Sequence, residues 1–222
     1  MRKSFIRPGE ERSVDNYKKL CETWREIYRD LDREELACRF GLEQDEKAYY
    51  LIYFHQKYRL DKESGMLTLY EEPERELTFH TVMTIYHLFY YSRPEARVSG
   101  RFVPFREVKR AAPFDPAFHK NILKPMAEAF EGHTQELVKA CQALGGKKLP
   151  QGDAGYQLQA FDCMPLQMIF WDGDEEFPAQ ANILFDADIT DFLHEETVVC
   201  LASDLFRRLL EESGLEITRR LM

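Results

Sequence analysis

The sequence predicts an α+β fold: an antiparallel sheet, built from a hairpin and a C-terminal three-strand meander, packed against several amphipathic helices. Three observations lead there. Helical and extended segments come in clusters (helices, hairpin, helices, meander, helix) and do not alternate strand by helix, which separates α+β from a doubly wound α/β sheet. Apolar residues in the long segments recur at three- and four-residue steps, and in the short ones at steps of two. Among the 222 residues are 16 Phe, 11 Tyr and 2 Trp. Each such ring buries ~150–250 Å², so a full core needs no metal or disulfide support.

The elements follow in order. Val14 to Leu31 reads as a helix behind a Ser13 cap, with Tyr17, Leu20, Trp24, Tyr28 and Leu31 on one stripe. Arg33 to Phe40 is a shorter helix ended by Gly41. Ala48 to Tyr58 and Met66 to Tyr70 carry strand chemistry, with Asp61 to Gly65 as the loop between them. Thr78 caps a helix whose Phe79, Val82, Met83, Tyr86, Phe89 and Tyr90 share a face and which stops before Pro94. Val98 to Val108 is extended, and Pro104 assigns it to a sheet edge. Pro116 to Leu144 is helical with a break expected at Pro125, and Gly145-Gly146 ends it. Tyr156 to Phe161, Leu166 to Trp171 and Ala179 to Phe185 form the meander. Glu195 to Glu212 is the last helix, with Val198, Leu201, Ala202, Leu205 and Leu209 on its stripe and Gly214 at its end. Without a repeat or a low-complexity linker, residues 1–222 read as a single domain: mainly helical over 1–45, a hairpin over 48–70, helices over 78–144, and meander and final helix over 155–213.

A net charge of −9 repels phosphate backbones, and the doublets Lys147-Lys148, Arg207-Arg208 and Arg219-Arg220 are too small to reverse it. Nucleic acid and anionic membranes are therefore set aside, and a small molecule or a basic protein is the partner class that remains. The five cysteines (Cys21, Cys38, Cys141, Cys163 and Cys200) include no close pair, which speaks for reduced thiols packed as small hydrophobes and against a disulfide framework or a cluster site. The N-terminal residues lack the apolar stretch of a signal peptide. The most apolar window, Thr81 to Tyr91, is too short to span a bilayer, which needs ~20 residues. The expected location is cytoplasmic.

The chemistry-bearing candidates are acidic. Ile183-Leu184-Phe185-Asp186-Ala187-Asp188-Ile189-Thr190 places Asp-x-Asp-x-Thr after an apolar strand, as in the first motif of haloacid-dehalogenase-type phosphatases. That motif opens its domain and is followed by a Lys and a later acidic pair, a context lacking here, so Asp186 and Asp188 read first as strand-end caps. Asp172-Gly173-Asp174-Glu175-Glu176 crowds four carboxylates into one turn. As an EF-hand it fails, because the slots for Gly and the bidentate Glu hold Phe177 and Ile183. Asp172-Gly173 is good hairpin chemistry, and a cation or basic group would relieve the repulsion. Asp172, Asp174, Glu175, Glu176, Asp186 and Asp188 are thus the candidate ligand- or cation-binding residues, in two groups at opposite ends of one strand. Leu144-Gly145-Gly146-Lys147-Lys148 lacks the earlier Gly and the Ser or Thr of a phosphate loop. His80 and His87 are ~10.5 Å apart along their helix, too far for one metal. Gln157, Gln159, Gln167, Gln180 and Asn182 alternate along the meander and form either a solvated face or an amide wall for a ligand.

Several of these residues carry a family likeness. Gly152-Asp153, Phe161 and Pro165-Leu166, then Trp171-x-Gly173-Asp174-Glu175-Glu176-Phe177-Pro178-Ala179, then Leu184-Phe185-Asp186, Leu193 and Glu196 resemble domain-of-unknown-function family 3786, most specifically over residues 152–210. The resemblance implies a prokaryotic protein of anaerobes, in a family some of whose members are joined to iron–sulfur domains, and it implies no established activity. No cluster-binding cysteine set is present to carry electron transfer. The resulting expectation is a binding or accessory protein whose ligand is a small molecule, a metal-bearing cofactor or a basic protein surface. Its rivals are a carboxylate-using hydrolase or transferase and a structural interaction domain. No catalytic residue, metal or cofactor is assigned.

Overall fold

The computed structural model describes residues 8–215, with side chains from residue 16 onward. The first helix, α1 (Pro8–Arg29), starts upstream of the expected Ser13 cap, which therefore lies inside it. Proline tolerates a first helical turn because its missing N–H would be unpartnered there anyway. The aromatic stripe of α1 grips α3 (Phe79–Tyr91): Tyr17 meets Phe79 at 4.7 Å, Trp24 meets His87 at 4.1 Å, and Tyr28 lies against Tyr86 and Phe89. Between them, α2 (Arg33–Arg39) is capped by Asp32, whose carboxylate accepts from the Glu35 N–H at 3.0 Å, and Gly41 turns the chain away at φ +60°.

The fold is α+β with antiparallel strands throughout, divided into two sheets. The first has the order β1 (Glu43–Gln44), β2 (Ala48–Tyr53), β3 (Gln56–Asp61), β4 (Leu67–Leu69). The stretch Ala48 to Tyr58, expected as one strand, is two strands joined by a two-residue turn at Phe54 and His55 with φ +43° and +63°. Turns of this kind ordinarily use Asn-Gly. Here tertiary packing holds the left-handed backbone in place. The Phe54 N–H donates to Ala160 O at 2.9 Å, its ring is buried beside Tyr53, and Tyr53 stacks on Phe161 at 4.6 Å. The turn is thereby the fastening between the two sheets.

The second sheet has the order β5 (Phe102–Pro104), β9 (Gln180–Asp186), β8 (Met164–Trp171), β7 (Ala154–Phe161), β6 (Lys147–Leu149), so the predicted meander is its centre and the Pro104 segment is an edge. The helical run before the meander breaks at Gly132 (φ +72°) and not at Pro125. After α4 (Asp115–Phe118), a π-helical turn over His119–Leu123 lets the Lys124 N–H reach His119 O. The wider turn absorbs the donor that Pro125 lacks, and α5 (Lys124–Phe130) continues without a gap. Then come α6 (Thr134–Ala143), ended by Gly145 at φ +70°, and the final α7 (Glu195–Ser213), closed by Gly214 in the left-handed region. Buried residues of both sheets and of α3, α5, α6 and α7 form one contiguous apolar cluster. No helix among the described residues is long and apolar enough to cross a membrane.

Candidate functional site

Of the acidic residues singled out in the sequence, Asp172, Asp174 and Asp186 are bound up in local structure. Asp186, at the end of β9, is fully buried. Its carboxylate accepts from Ser99 N–H and Oγ–H at 3.0 Å each, from Gly100 N–H at 2.7 Å and from Asp188 N–H at 3.0 Å. Burial pushes its pKa up, but these donors outweigh burial and hold it below the usual carboxylate range. Asp188 is exposed one turn later. At the other end of the strand, Asp172 accepts from Gly132 N–H at 2.8 Å, Thr134 Oγ1 at 2.7 Å and Gly173 N–H at 2.9 Å, fastening the α5–α6 junction to the sheet. Asp174 accepts from the N–H groups of Glu176 and Phe177, both at 2.8 Å, and so caps its own turn. Glu175 and Glu176 are exposed, and Phe177 beside them is 64% exposed.

Because Trp171 pairs with Gln180 at the start of β9, the two acidic groups are separated by the six residues to Asp186, roughly 20 Å at ~3.3 Å per residue. Among the described residues, no group of three or more His, Cys, Asp or Glu side chains converges in a way that could hold a metal ion. The amides Gln157, Gln159, Gln167, Gln180 and Asn182 are exposed or half-buried, and none borders the cavities described below. Cys141 is buried, and burial raises its thiol, along with those of Cys163 (to about 11) and Cys200 (to about 12), leaving them unreactive at neutral pH. Cys38, expected to be packed, is exposed.

The perturbed chemistry lies elsewhere, around Asp204, which the sequence reading passed over. Asp204 occupies the buried face of α7, one step from Leu201 and Leu205, and is 1% exposed. Its carboxylate accepts from Tyr53 Oη at 2.9 Å and Thr81 Oγ1 at 3.1 Å, with Thr78 Oγ1 at 3.3 Å and Arg207 at 3.4 Å. Burial pushes its pKa up against the opposing pull of Arg207 and of the hydroxyl donors. Arg207 is shared with Glu211, whose carboxylate lies 2.6 Å from Nη1 and is itself 3.0 Å from Arg75. Arg208 turns to Glu211 and Glu212 at 2.7 and 2.6 Å, so this basic doublet is matched within its own helix. The network joins β2, α3 and α7 through groups far apart in sequence.

Above it opens a cavity of about 350 Å³. Tyr17, Phe79 and Phe206 give it aromatic walls, while His80, Asn121, Ser203 and Arg207 place polar groups around it. His80 is half-buried, and burial lowers its pKa, so the ring is neutral at neutral pH. Ser203 donates to Val199 O at 3.0 Å, the ordinary bond of a helical serine one turn back. Among the described residues no carboxylate borders this cavity, and Asp204 is buried. A signal for the site was present in the sequence: an acidic residue, Asp204, spaced to fall within the apolar stripe of the last helix.

A family model described as "Domain of unknown function (DUF3786)" matches residues 32–208, and the chain belongs to that family. The match reaches well upstream of residues 152–210, so the hairpin, α3 and the start of the meander are as much part of the family domain as the acidic turn. No curated protein and no solved structure matches the chain.

Proposed function

We propose that this is a single-domain binding protein for a small, flat, largely uncharged molecule with hydrogen-bonding edges, held in the cavity between α3 and α7. The observation that carries this reading is the combination of aromatic walls with fixed polar groups beside the buried Asp204. The volume of about 350 Å³ lies within the ~300–1,000 Å³ of small-molecule sites. Tyr17, Phe79 and Phe206 offer faces for stacking. The Arg207 guanidinium is held by Asp204 and Glu211, so it presents donors with little free charge, which favours a polar edge over a polyanion. His80, uncharged, can donate from one ring nitrogen and accept at the other.

The test is a thermal-shift panel of purines, pterins and flavins on the parent protein, on Ser203→Phe, which fills the cavity, and on Arg207→Met. A ligand at ~100 times its Kd adds ~2.7 kcal/mol. The expected result is stabilisation of the parent that is lost in folded Ser203→Phe and weakened in Arg207→Met. Stabilisation undiminished in Ser203→Phe, or none with any of these flat molecules, would overturn the reading.

A further inference from the structure

A second cavity, bordered by Phe161 where that ring stacks on Tyr53, has a different character. It measures about 430 Å³ and is bounded by the end of α2, by β2, by the last turns of α3 and by the β7–β8 turn. Its floor is core: Leu51, Leu88, Phe89 and Phe161 are all buried. Cys163 borders it as a neutral thiol, raised to about 11 by burial. Two cations reach it, and they are not equivalent. Lys57 is spent, since its ammonium lies 2.6 Å from Glu43 and over the rings of Tyr50 and Tyr70. Arg39 is not. Its Nη1 donates to Ser92 O at 3.0 Å, but its Nε is buried with no hydrogen-bond partner, the nearest carboxylate oxygen, from Glu35, standing off at 3.6 Å. A buried donor without a partner costs ~1–3 kcal/mol, and a guanidinium has five N–H groups arranged as forks that match a carboxylate.

We propose that this cavity binds a monocarboxylate with an apolar body, its carboxylate on the accessible part of the Arg39 guanidinium and its chain or ring against Leu51, Leu88, Phe89 and Phe161. The rim carboxylate of Asp162 disfavours a second anionic group, since Glu43 is already matched by Lys57. The proposal is independent of the α3–α7 cavity, as the two sites share no lining residue.

The probes are octanoate and 3-phenylpropionate, with octanol as the uncharged counterpart and succinate as the dianion. Binding is followed by titration calorimetry on the full chain. Octanoate or 3-phenylpropionate should bind the parent, and Arg39→Met should weaken that binding about tenfold or more through the lost charge-assisted bond. Arg39→Lys should restore part of it. Ile52→Trp, at a cavity residue that is 41% exposed and so replaceable without disturbing the core, should abolish it. Ser203→Phe should leave it unchanged. Octanol should bind more weakly and be indifferent to Arg39→Met, and succinate should not bind. Equal carboxylate affinity in the parent and in folded Arg39→Met, equal affinity for octanol and octanoate, or no binding of either monocarboxylate to the parent would each overturn the proposal.

Discussion

Two buried aspartates, Asp186 at the end of β9 and Asp204 inside α7, show opposite uses of the same side chain. Asp186 sits in a string that advertises chemistry, yet its carboxylate is filled by Ser99, Gly100 and Asp188 donors that lower its pKa. It is a latch tying the loop before β5 to the end of β9. Asp204 sits in an unadvertised helix, has fewer strong donors, and is pushed up by burial while it steadies Arg207 under a cavity. The difference teaches that backbone N–H groups, which cannot turn away, make a carboxylate structural. Side-chain hydroxyls and a shared arginine leave it tunable.

The largest expected effect breaks the latch. Asp186→Ala should cost about 3–5 kcal/mol in chemical denaturation, because two backbone donors of the loop, Ser99 and Gly100, lose a charged acceptor together. A cost below about 1 kcal/mol would show that water replaces the carboxylate and that the latch is dispensable. Asp204→Ala should cost about 2–4 kcal/mol, since the buried Tyr53 hydroxyl loses its acceptor and Arg207 loses one of its two carboxylate partners on α7.

A subtler pair of measurements sharpens the comparison through pH. The lowered pKa of Asp186 means that its stabilising contribution is present above the ordinary carboxylate value of ~3.9 and is lost as pH falls from there through its folded value. Asp204 has the reverse sign. Its raised pKa makes its contribution fullest below ~3.9, and that contribution is lost as pH rises through the folded value. The stability gap between parent and Asp186→Asn should therefore widen with rising pH, while the gap between parent and Asp204→Asn should narrow, as read by urea unfolding across the acidic to neutral range. Gaps that move in the same direction would remove the distinction drawn between the two sites. The smallest effect expected is at the α5–α6 junction. Gly132→Ala, at φ +72° with open space around the added methyl, should cost about 1 kcal/mol from backbone strain alone. No change in melting temperature would mean that the junction relaxes.

Much of the fold could be read from the chain because its elements carry local signals. The stripes of α1 and α7, the Thr78 cap and the glycines at 41, 145 and 214 mark helices by properties of neighbouring residues, and the alternation of the meander does the same for its strands. What failed was tertiary in origin. The Phe54-His55 turn has no turn residue, and only the Ala160 carbonyl and the Tyr53 and Phe161 rings explain why it bends there. Pro125 does not break its helix because a π turn ahead of it removes the conflict.

The sites divide the same way. By itself the sequence determined the α+β class, the family, the ends of α2, α6 and α7 at their glycines and the presence of an acidic turn, all of which depend on spacing along the chain. Only the tertiary structure decided that Asp186 is spent on backbone donors and that Tyr53, Thr81, Asp204 and Arg207 meet, because those outcomes depend on which groups desolvate one another across the core. Hydrogen-bond partners 151 residues apart, as Tyr53 and Asp204 are, leave no periodicity to read.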